Sequence, residues 1–177
     1  MDLNALVDFS VPYYATKDIM HNIRHIELVV KAAEYIIHAG KYSIDDDSLL
    51  AAAYFHGFIH TNQEDARNWL SSQSFSLARV EKTIQSALES QATAQPKTLE
   101  GMILHDAHLI EGGKVYMVTK CLVTGSLRGQ TLAETMDYIE ANILDKRQCF
   151  LKESIPLFDE ANQFTRDFLL HLKTGIS

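Results

Sequence analysis

The chain has 177 residues, 23 acidic against 16 basic for a formal charge of −7, and 46% hydrophobic residues. That is one ordinary globular domain with a sizeable core; it excludes disordered and fibrous classes, and the acidic balance disfavours binding to a nucleic-acid backbone. Cys121 and Cys149 stand far apart in no Cys-x-x-Cys pair, which excludes a disulfide framework or a thiolate zinc site and leaves histidine and carboxylate as the only metal ligands on offer.

The N-terminus Met1-Asp2-Leu3-Asn4 has no basic region followed by an apolar one, and every apolar stretch is interrupted by charge or glycine before the roughly 18 residues of a membrane span. A cytoplasmic protein is expected, with neither signal peptide nor membrane anchor. Only three prolines occur, and apolar residues recur with the helical period, so the expected fold is all-α: a single-domain helical bundle over 1–177.

In chain order, the first strong helix is predicted from about Lys17 to Ala39, closed by Gly40. Asp45, Asp46, Asp47 and Ser48 cap and charge the start of a second, which is almost wholly apolar and ends near Gly57. Shorter helices follow from Thr61-Asn62 to Trp69 and from Ser76 to Glu89, and a fifth starts at Lys97-Thr98-Leu99 and stops at Gly112-Gly113. The remainder reads as helices over Val115 to Val123, Leu132 to about Leu151 and Ser154 to Lys173, with a turn between Gly125 and Gly129.

Three polar residues fall on apolar faces. His25 aligns with Val29, Ala32 and Ile36; His56 with Leu49, Ala52 and Ala53; Asp106 with Leu99, Ile103 and Ile110. Burying such groups is costly unless they are paired. Taken singly, each fits a structural hydrogen-bonded network. Taken together, two imidazoles and a carboxylate from different helices form a ligand set for a divalent transition ion that keeps positions open for water.

The order His21-Asn22-Ile23-Arg24-His25, then Ala53-Tyr54-Phe55-His56-Gly57, then Leu104-His105-Asp106-Ala107, resembles the HD-domain superfamily of metal-dependent phosphohydrolases over about residues 15–172. The resemblance implies His25, His56 and Asp106 as metal ligands, with a divalent ion (Mn, Fe, Co, Ni, Zn or Mg) as cofactor. It implies Lys120, and His60 four residues after His56, as groups that offset phosphoryl charge or act as acid. Arg128 shares with Lys120 a stretch free of acidic residues, which fits either phosphate recognition or a solvated basic face.

Departures from the family pattern are equally specific. Gly57 stands where the name-giving Asp belongs, His108 replaces the second Asp of the usual run, Leu109 replaces a basic residue, and Ile110-Glu111 replaces Leu-Asp. By helical spacing His108 lies on another face from Asp106 and reads as a surface or supporting group, as does His21. The leading expectation is a phosphohydrolase for a nucleotide or small phosphorylated metabolite. The alternatives are a degenerate HD domain that binds a nucleotide or protein partner without hydrolysis, and a structural bundle with a buried His/Asp network. Either a monomer or a homodimer fits the composition.

Overall fold

The computed structural model describes residues 1–176, which form nine helices and no strand: α1 Leu3–Tyr14, α2 Ile23–Gly40, α3 Asp46–Phe55, α4 Gln63–Ser72, α5 Leu77–Glu89, α6 Leu99–Ile110, α7 Gly113–Leu127, α8 Leu132–Asn142 and α9 Ile155–Ile176. No helix among the described residues is long and apolar enough to cross a membrane.

Most starts follow from side-chain caps, which satisfy amide groups that the first turn leaves unpaired. Asn22, Asp45, Ser76 and Thr98 accept from the backbone of Arg24, Ser48, Arg79 and Gly101. Thr131 and Glu134 form a reciprocal capping box on α8.

Four elements differ from the sequence expectation. Helix α1 is an addition, begun by Asp2, whose side chain accepts from the Asn4 amide. Helix α2 starts at its Asn22 cap rather than at Lys17, because 15–22 form turns around Asp18. Helix α7 runs straight through Gly125: the missing side chain there lets Thr135 of α8 approach so closely that an ideal Cβ would lie 2.2 Å from its Oγ1. The turn instead centres on Gly129, whose φ of +75° suits glycine. Helix α8 stops at Asn142, and the chain continues to α9 through a loop that buries Ile143, Leu144, Cys149 and Leu151.

Helix α2 packs most extensively on α6, α3 on α5, and α7 on α9. The apolar interior has two parts. The larger unites α1 to α6 with Cys149, Leu151 and Phe158; the smaller joins Met136, Ile139, Ile143 and Leu144 to Leu169 of α9. A cavity of about 520 Å³ opens between them, lined by Leu109 and Phe158 of the first core and Met117, Cys121 and Ile143 beside the second.

Candidate metal and phosphate site

Three imidazoles meet at the cavity wall. His25 comes from the first turn of α2, His56 from the residue that ends α3, and His108 from the last turn of α6. Ring centroids lie 4.3 Å apart for His56 and His108, 5.3 Å for His25 and His108, and 5.6 Å for His25 and His56. One ring nitrogen from each falls within 4.8 Å of the others, close enough to hold a metal ion.

Hydrogen bonds set the tautomer of two of the three rings. His25 Nδ1 donates to Glu111 Oε2 at 2.5 Å. His108 Nδ1 faces the Ser90 carbonyl at 3.3 Å, a partner that can only accept. His56 Nδ1 lies 2.7 Å from Ser90 Oγ, whose own proton goes to the Ala87 carbonyl at 2.6 Å, and 3.3 Å from the side-chain nitrogen of Gln91. His25 and His108 therefore carry the proton on Nδ1 and keep the Nε2 lone pair free. Such supporting acceptors orient imidazoles for a metal.

Burial holds the His25 pKa below the ordinary histidine value, against the pull of Glu111. Burial, reinforced by nearby positive groups, holds His56 and His108 well below it. The cluster is therefore neutral near pH 7, the form in which imidazole ligates. Among the described residues no carboxylate joins it.

Asp106 is placed elsewhere. It is fully buried, its oxygens accept from the amides of Phe150 and Leu151 at 2.8–3.0 Å, and the Ser154 hydroxyl donates to it. The carboxylate that the family pattern assigns to the metal ties α6 to the chain entering α9. His108, expected on an idle face, takes the third place among the nitrogens.

Gly57 supplies no ligand atom, and its neighbourhood explains why none could simply be added. The Tyr14 phenol fills the space: an ideal Cβ at Gly57 would lie 2.5 Å from Tyr14 Cε1 and 2.6 Å from its oxygen. That oxygen accepts from the Gly57 amide at 3.0 Å and donates to the Tyr54 carbonyl at 2.8 Å, while Lys17 Nζ donates to the Gly57 carbonyl at 2.6 Å.

The remaining expected residues also line the cavity. Lys120 Nζ reaches Glu111 Oε1 at 2.5 Å, so one carboxylate holds both His25 and Lys120. His60 is exposed at the mouth, in the turns after His56. His21 lines the wall but gives its Nδ1 to Asp18. Lys17, Lys120, Arg128 and Arg147 line the cavity with Glu111 as its single acidic side chain, an electropositive pocket in a chain of net charge −7. Fields focused in such a cleft attract anions.

No protein-family model matches the chain, and no curated protein matches it in sequence. Solved structures do match in fold. Bacillus subtilis YpgQ superposes with a TM-score of 0.76 at 15% identity, covering 98% of this chain and 96% of that one. Its complex with ADP gives 0.75 at 15% identity, covering 98% and 95%. The Lin1889 protein from Listeria innocua gives 0.72 at 18% identity, covering 98% and 96%. At these identities the likeness is one of fold alone.

Proposed function

We propose that this chain is an HD-type, metal-dependent phosphohydrolase acting on a nucleotide or another small phosphorylated molecule, with a divalent ion held by His25, His56 and His108. The observation that carries this is the convergence of three imidazoles, one ring nitrogen of each within 4.8 Å of the others, at the wall of a cation-lined cavity. Three neutral nitrogen donors with open positions suit zinc and neighbouring late transition ions better than magnesium. A divalent ion bound there acidifies a water molecule and polarises a phosphoryl oxygen.

The chain's own side chains do the rest. Glu111 keeps the proton on His25 Nδ1, so that Nε2 points its lone pair inward, and it pins the Lys120 ammonium beside the site. Lys120 offsets charge that grows on the phosphoryl oxygens, and His60 and Lys17 stand where a ligand enters. The ADP bound to YpgQ supports a nucleotide as the ligand class.

The test is metal analysis of protein purified without chelator, followed by phosphate-release assays on nucleotides and phosphomonoesters with Zn²⁺, Co²⁺, Ni²⁺, Mn²⁺, Fe²⁺ and Mg²⁺. Turnover that His108→Ala or His25→Ala leaves unchanged sinks the assignment. The contact of Tyr14 with Gly57 favours a second reading, in which the site binds a phosphorylated ligand without cleaving it, since no carboxylate joins the histidines. Tight nucleotide binding with no turnover under any of the six metals selects that reading.

A further inference from the structure

Two buried polar groups with no hydrogen-bond partner, Arg147 Nε and Thr124 Oγ1, line the same cavity. Each is the kind of orphan that a folded protein ordinarily satisfies with a neighbour, water or ligand. Arg128, which is exposed, also lines the cavity, and no acidic side chain among the described residues pairs with it. Among the described residues Arg67, Arg79 and Arg166 pair with Glu81, Asp45 and Asp145; of the three arginines that pair with nothing, two line this cavity.

Placement along α7 gives the group a direction. Lys120, Thr124 and Arg128 follow one another at four-residue intervals and all line the cavity, a ladder of about 12 Å leading away from His25. Arg147, on the loop between α8 and α9, lines the same cavity, close enough for its charge to act on Cys121 of α7 and on His108.

We infer that Thr124, Arg128 and Arg147 form a second anion subsite, beyond the histidine cluster, that takes the distal phosphoryl group of a ligand carrying at least two in a row, a nucleoside di- or triphosphate rather than a monophosphate. This rests on the proposed phosphate-binding role of the cavity. Arginine offers the bidentate fork that phosphoryl oxygens accept, and the threonine hydroxyl adds a donor at the wall.

The test compares inorganic phosphate with methylenediphosphonate, a pyrophosphate mimic that cannot be hydrolysed, by calorimetric titration of the zinc-loaded protein at fixed ionic strength. The diphosphonate is expected to bind at least about tenfold tighter. Arg147→Gln and, separately, the exposed Arg128→Gln are expected to remove most of that preference while leaving zinc content and the affinity for inorganic phosphate near the wild-type values. Equal affinity of the wild type for the two anions, or a preference that survives both substitutions, overturns the subsite. Failure of the wild type to bind either anion overturns the phosphate-binding role itself, and the subsite with it.

Discussion

Tyr14 and Gly57 form a lock between α1 and the end of α3: the phenol lies where a side chain at position 57 would go, accepts from the Gly57 amide and donates to the Tyr54 carbonyl. Restoring the family's aspartate by Gly57→Asp alone therefore destabilises the fold, by about 2 kcal/mol or more, through overlap and a displaced phenol. Urea titration of Gly57→Asp, Tyr14→Ala and the double variant checks this. The aspartate is expected to cost less once the ring is gone, and strictly additive costs contradict it.

Asp106 and His108 are separable by experiment although two residues apart. Asp106→Ala leaves two amides without their acceptor and the Ser154 hydroxyl with only the Leu151 carbonyl, and is expected to lower stability by about 3 kcal/mol or more, with zinc stoichiometry of the folded fraction retained. His108→Ala is expected to do the reverse, losing zinc with a modest stability cost. The wild type is also expected to gain thermal stability from zinc, about 2.7 kcal/mol at a hundredfold excess over Kd, and His108→Ala is not. Equal zinc loss in both variants would return Asp106 to the metal centre.

Stability should fall on the acid side. Histidine protonates near pH 6.5 in the unfolded chain, whereas burial depresses the folded-state values of His25, His56 and His108. Below about pH 6.5 the unfolded state thus takes up protons that the folded state refuses, and stability is lost as pH falls towards the folded-state values; above that pH the contribution is fully present. Each buried imidazole adds up to about 1.4 kcal/mol per pH unit in that window. Unfolding free energies of metal-free protein between pH 7.5 and 5.5 check the slope, which should be shallower in His56→Asn. An unchanged slope in that variant rules the explanation out.

Glu111→Gln weakens metal binding without removing a ligand. It takes the charged acceptor from His25 Nδ1 and frees Lys120 to repel the ion, and a loss of about 10- to 100-fold in zinc affinity is expected. Competition with a chromophoric chelator measures it, and Lys120→Met in the same background should recover part of the loss. Wild-type affinity in Glu111→Gln would show that the pair orients nothing that matters for the metal.

Much of the fold is legible in the sequence where polar caps meet apolar rhythm, as from Asp45 to Phe55 and from Ser76 to Glu89. Two signals mislead. Gly125 reads as a turn because glycine usually breaks helices, whereas here it is the contact point of α7 with α8. On α6 the facing of residues is ambiguous because Ile103 to Ala107, Leu109 and Ile110 are all buried, so spacing cannot separate a core-facing Asp106 from a cavity-facing His108. His25 and His56 are marked by order as well as by face, and the structure brings them together. Glu111 has a signal too, the acidic residue kept where the family pattern has Leu-Asp. Arg147 and Tyr14 have none, since their places depend on a loop and on a helix that periodicity does not announce.

The bonds from Asp106 to Phe150 and Leu151 have a mechanical consequence. Arg147 sits three residues before Phe150, and His108 two residues after Asp106, so a single carboxylate joins the segment that bears one to the helix that bears the other. A load placed on the arginine has a short route to the imidazole, and the loop and the helix that carry them are tied to move together rather than apart.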